Sequence, residues 1–197
     1  MQESIIYDKK FTDGKAMIRP EFRKILTDQR GAAIILWSGF MISIAIYLAI
    51  AQYILTIPDY AKGLSFAATA RVVLWILVMV DFAYLLWWKR CYLAREAILD
   101  ETKQSKVFRA LQEYKGPMEQ RAAAVVSTYV TRRIVLFAIV EAIAVYGLVL
   151  ALVGPYVLDH YLLSAVSLIL LALEFPSGTN LESFIQQVEL EASGSKG

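Results

Sequence analysis

Cysteine and histidine are nearly absent from this chain: Cys91 and His160 are the single example of each in 197 residues. One thiol excludes an intramolecular disulfide and every multi-cysteine metal site. One imidazole excludes paired-histidine ligation within a chain. The sequence also lacks a Gly-rich phosphate loop, a GxSxG elbow and an HExxH pair, the local signatures of phosphoryl transfer, serine hydrolysis and zinc proteolysis. No catalytic residue, metal or cofactor is therefore expected. Charge is scarce as well. Asp, Glu, Lys and Arg make up 19% of the chain against 58% hydrophobic residues, and the mean hydropathy is +0.51. That balance lies outside the range of soluble globular domains.

The chain does have long apolar runs, separated by charged segments. Four are read as membrane spans, over about 31–55, 69–88, 134–153 and 156–175. The third is the clearest. Arg132-Arg133 precedes twenty residues in which Glu141 is the only charge. About 20 apolar residues rising ~1.5 Å each cross a ~30 Å hydrocarbon core. Ala49-Ile50-Ala51 resembles a signal-peptide cleavage site, but the apolar run before it is too long for a signal h-region, so the first span is read as retained. The fourth begins between Tyr156 and Leu162 and ends at Phe175, before Pro176. The expected fold is all-α: an integral membrane four-helix bundle over 31–175.

The flanking segments carry the charge. Residues 1–30 hold seven Lys/Arg and five Asp/Glu. Pro20 suits a first helical turn, and Phe22, Ile25 and Leu26 have helical spacing. Between spans two and three, residues 89–133 hold ten Lys/Arg and five Asp/Glu. They read as a helical hairpin, with helical stretches over 92–103 and 107–114, a turn at 104–106 and a new helix from Pro117. Cys91 reads as an unmodified thiol in a reducing compartment, or as an attachment point for a juxtamembrane acyl chain. After Pro176, Leu181, Phe184, Ile185 and Val188 form an amphipathic stripe within a tail over 176–197. The stripe is expected on the membrane surface or the bundle, and 189–197 is expected to be disordered.

Basic residues favour the cytoplasmic side. The two short connections hold two Lys/Arg between them, Lys62 and Arg71, against seven in the N-terminal segment and ten in 89–133. The expected topology is a multi-pass protein of the cytoplasmic membrane, with both termini and the hairpin inside. Near the outer interface, Asp159-His160 reads as a solvated loop pair.

Acids within a span are costly unless paired, neutral or wetted, and so mark a functional-site hypothesis. Asp81 lies eight residues before Lys89, and Glu141 eight after Arg133. In the expected topology both carboxylates lie ~12 Å inside the cytoplasmic edge. Ser38 and Ser167 count to the same depth, which suggests one polar layer with Tyr84 in support. Two neighbouring acids in a low dielectric cannot both ionise cheaply. Such a layer could handle a proton or a cation. It could equally fix helix register, through a proton shared by Asp81 and Glu141 or through hydrogen bonds to serines and Tyr84. The simplest reading of Ser38 and Ser43 is that they bond back to their own helix.

The run EAIAVYGLVLAL, from Glu141 to Leu152, resembles the carboxylate helix of subunit c of the rotary ATP synthase ring. The resemblance implies that Glu141 is a proton- or sodium-binding carboxylate. Ring subunits have two spans and a Gly-x-Gly first helix. This chain has two further spans and no glycine in the second, so ring assembly is not expected. The end of the fourth span, LLALEFPSGTNLESF, is similar to bacterial multi-spanning integral membrane proteins of unassigned activity.

The leading functional expectation is a non-enzymatic structural or accessory membrane component. The alternative is a small proton- or cation-handling protein using Glu141 and Asp81. The expected partners are the lipid bilayer and either a second copy or a larger membrane complex. Nucleic acid is not expected, because the 89–133 charges lack interleaved aromatics.

Overall fold

A computed structural model describes residues 18–57, 60, 64–99 and 117–194. The helical stretch expected over 107–114 and the turn at 104–106 lie outside the described residues. Six helices follow in order: α1 (Pro20–Leu55), α2 (Ala67–Tyr92), α3 (Arg95–Leu99), α4 (Pro117–Val153), α5 (Val157–Leu173) and α6 (Gly178–Gly194). No strand occurs among the described residues. Proline opens α1 and α4, where a missing N–H leaves no hydrogen bond unmade. The two helices run 36 and 37 residues without a break, so the charged flanks and the apolar runs after them are single rods.

Three helices, α1, α2 and α4, are long and apolar enough to cross a membrane. α5 and α6, bent by 42° at their junction, qualify together as a fourth candidate. The bend falls at Pro176, which has no N–H to continue a helix. Many large apolar side chains on α1, α2 and α5 face outward, among them Ile35, Ile42, Val72, Ile76, Met79 and Ile169. Water penalises such a surface, whereas hydrocarbon does not. The chain is an all-helical membrane protein with three to four candidate spans.

The hub is α4, which touches each of the other five helices. Of its most apolar stretch 44% is buried, against 11% in α1 and in α2. In the apolar half, Leu136, Phe137, Val140 and Ala144 of α4 pack with Ile44 of α1, Leu85 of α2 and Leu171 of α5. Further along, Ile143 and Leu150 meet Val78 and Leu163. Both short connections lie at the same end. The Leu64 N–H donates to the Val153 carbonyl at 2.9 Å, and the Tyr60 hydroxyl to the Gly154 carbonyl at 2.9 Å. A Cβ on Gly154 would lie 3.0 Å from that of Ala67, so a side chain here would have to push Ala67 or Tyr156 aside.

At the opposite end the helices build a second core. Phe22 and Leu26 of α1, Ile98 of α3, Val125, Val126 and Tyr129 of α4, and Leu181, Phe184, Ile185 and Val188 of α6 are all buried together. The amphipathic stripe of α6 thus faces α1 and α4. The helix continues to Gly194, past Glu189, through a stretch whose composition suggests disorder. One reason is that Glu189 itself is engaged, accepting from the Ile18 N–H at 3.2 Å and lying 3.5 Å from Arg23. Arg19 adds a two-pronged contact to Glu119, at 2.7 and 2.8 Å.

Candidate functional site: the intramembrane carboxylates

The sequence singles out Glu141, and α4 turns it toward α1. The Ser43 hydroxyl lies 2.5 Å from Glu141 Oε1, and the Tyr47 hydroxyl donates to the same oxygen at 2.8 Å. Ser43 and Tyr47 are one helical turn apart and share a face of α1. The Ser43 oxygen is also 2.8 Å from the Phe40 carbonyl. A hydroxyl has one proton, so Ser43 serves one acceptor at a time. It donates to an ionised Glu141. It can equally accept from a protonated Glu141 while donating to Phe40. The cluster therefore accommodates both protonation states without a change of partners.

Asp81 is turned toward α4, where the Tyr146 hydroxyl donates to its Oδ2 at 2.9 Å. Tyr146 follows Glu141 by five residues, which is roughly 140° around the helix. One carboxylate thus meets α4 from the α2 side, while the other looks from α4 toward α1. No hydrogen bond joins the two among the described residues, and the shared proton considered from sequence is replaced by separate hydroxyl partners. Ser167 of α5 donates to the Val140 carbonyl at 2.9 Å, next to Glu141 in the chain. Ser38 is partly buried five residues short of Ser43. Tyr84 is 41% exposed and packs on Trp87 and Trp88, with centroids 5.4 and 5.9 Å away. No hydrogen bond joins it to Asp81 among the described residues.

Two further carboxylates join helices. Asp159, 7% exposed, pairs with Arg71 of α2 at 2.6 Å. His160 is fully buried. The solvated-pair reading of these two residues is corrected. Gly147 of α4 has no side chain, and α5 closes onto it: a Cβ there would lie 3.1 Å from Leu163 Cβ and 3.2 Å from His160. The His160 ring is sealed against this gap, with Nδ1 3.4 Å from the Ser164 hydroxyl. Glu174, at the end of α5, is held by Lys89 of α2 and by Arg133 of α4.

Sequence reasoning missed Ser43, Tyr47 and Tyr146 as partners of the acids. The spacing of Ser43 and Tyr47 was a legible signal. Counting depth from the charged edge favours Ser38 instead, because it sets that edge at Arg30 and α1 runs well past it in both directions. The described residues contain no group of three or more His, Cys, Asp or Glu that could hold a metal ion. The donor set at Glu141 is carboxylate and hydroxyl oxygen. No known protein family, curated protein or solved structure matches the chain.

Proposed function

We propose that the chain is a non-enzymatic structural or accessory component of the cytoplasmic membrane. It forms a four-span bundle, with both termini and the 89–133 helical hairpin in the cytoplasm. The observation that carries this reading is that the acids within the apolar stretches of α2, α4 and α5 are each engaged by a side chain of another helix. Glu141 is held by α1, Asp81 by α4 and Asp159 by α2. Polar contacts of this kind fix the rotation and register of apolar helices that hydrocarbon would otherwise let slide. The orientation is supported by the basic flanks and by both short connections lying at one end.

The test is to replace the acids by amides. Glu141→Gln and Asp81→Asn keep a carbonyl acceptor for the tyrosine hydroxyls, so both variants insert, remain folded and keep the wild-type oligomer on size exclusion. Loss of fold in either amide variant would count against a register role that needs only an acceptor. Topology is read separately by labelling single cysteines in a Cys91→Ser background. Leu64 and Pro155, both exposed, should react from outside. Asp28 and Glu182 should be protected.

A second reading rests on one specific observation, the single-proton Ser43 hydroxyl between Glu141 and the Phe40 carbonyl. A site that fits both protonation states of a carboxyl suits proton or cation handling, in line with the local resemblance to subunit c. Proteoliposomes distinguish the two readings. An ion handler passes protons or sodium and loses the flux in Glu141→Gln while staying folded. A scaffold passes neither.

A further inference from the structure

Where α5 breaks into α6, a cavity of about 400 Å³ opens between the apolar half and the second core. Lys89 of α2, Tyr129 and Arg133 of α4, Glu174, and Asn180 and Ser183 of α6 line it. Its depth is marked by Trp87, Trp88 and Tyr92 on the same stretch of α2, where Trp88 and Tyr92 stack at 4.4 Å. Such aromatic belts sit at the level of lipid headgroups.

Two of the lining side chains are more than nine-tenths buried and leave a polar atom without a partner. Tyr129 is 7% exposed and Arg133 8%, and the Tyr129 hydroxyl and Arg133 Nε have no hydrogen-bond partner. Arg133 is otherwise committed: Nη1 donates to the Glu174 carbonyl at 2.8 Å and to that of Phe175 at 3.3 Å, and Nη2 lies 3.4 Å from the Glu174 carboxylate. Its guanidinium lies 5.2 Å from the Tyr129 ring centroid. Buried polar groups are almost always satisfied, so two orphans on residues that line one cavity point to a missing partner.

That partner must accept hydrogen bonds, since a guanidinium N–H only donates and a phenol readily donates. Two cations against one carboxylate leave the wall with a net charge of about +1, which matches a singly charged phosphodiester. Asn180 and Ser183 supply further polar contacts. We propose that this cavity binds a phosphate group, presented by the headgroup of an anionic phospholipid at the membrane surface. The lipid would lock the α5–α6 bend by joining α2, α4 and α6 around one anion. The proposal rests on the membrane reading and is independent of the roles of Glu141 and Asp81.

The experiment is native mass spectrometry of the detergent-purified full chain, titrated with phosphatidylglycerol, phosphatidylcholine or inorganic phosphate. The variants are Tyr129→Phe, which keeps the ring and removes only the hydroxyl, and Lys89→Gln. Phosphatidylglycerol should bind in one tight equivalent, preferred over phosphatidylcholine. Tyr129→Phe should weaken it about threefold to tenfold, the loss of one hydrogen bond, with an unchanged far-UV spectrum. Saturable binding of inorganic phosphate with the same dependence on Tyr129 would keep the phosphate site and assign it a soluble source. Equal binding of both lipids, or tight binding that Tyr129→Phe leaves unchanged, overturns the proposal. If Lys89→Gln fails to fold, the tyrosine variant decides alone.

Discussion

The two ends of α4 lie in different surroundings, and the same residue types behave differently there. At its N-terminal end, apolar side chains point inward, and Phe22, Leu26, Val126 and Ile185 are nearly inaccessible. The charges lie around them, as Arg19–Glu119 and Arg23–Glu182 do. Along its apolar half a buried apolar core continues, but the outer faces of the neighbouring helices are apolar too. Ile76, Met79 and Ile169 are more than half exposed, and the polar groups, Glu141, Tyr47 and Tyr146, look toward neighbouring helices. Water drives the first arrangement by expelling apolar area. Hydrocarbon cannot, and there packing and interhelical hydrogen bonds hold the helices together. One continuous helix thus carries two kinds of surroundings, one toward each end.

Mutations at matched positions should break this contrast or sharpen it. The largest effect is expected for Phe22→Ala, which empties part of the second core: about 3–5 kcal/mol, read as a lowered thermal midpoint in detergent. Ile76→Ala on the outward face of α2 removes similar chemistry but creates no cavity, and should stay within about 0.5 kcal/mol. Equal losses at both sites would mean that α2 is covered by protein rather than lipid.

Next in size is Gly147→Val, which has no room beside Leu163 and His160 and should cost about 1–3 kcal/mol. At Gly39 nothing lies within 4 Å of the point a Cβ would occupy, so Gly39→Ala should be neutral or slightly stabilising. The same detergent melts rank the pair. Tyr146→Phe, which removes one interhelical hydrogen bond to Asp81, should cost about 0.6 kcal/mol. Comparable in size, Arg23→Gln loses partly exposed ion pairs to Glu182 and Glu189. The change should be at most about 1 kcal/mol and should shrink further at high salt. A salt-independent loss there would show a packing role for the arginine stem.

The candidate spans were legible because hydropathy is a local property: twenty residues with one charge need no partner to declare themselves. The starts of α1 at Pro20 and α4 at Pro117 were legible for the same reason, since proline acts on its own backbone. The stripe Leu181, Phe184, Ile185 and Val188 announced a face but not its destination, which is formed by Phe22, Leu26 and Tyr129 from distant parts of the chain. The site was less legible. Glu141 and Asp81 stood out as costly charges, yet their partners depend on how α1, α2 and α4 are rotated about their axes. His160 looked like a loop residue because the residues around it do not reveal the gap that Gly147 leaves on α4.

Sequence alone thus determined that this is a helical membrane protein, where its charges interrupt the apolar runs, and which two acids need explaining. Only the tertiary structure decided that α4 is the hub, that each acid answers to a different helix, and that Tyr129 and Arg133 share a cavity. The physical reason is that the energy of entering a bilayer sums residue by residue along the chain. The energy of a contact depends on the axial rotation and register of two helices together, which no local stretch encodes by itself.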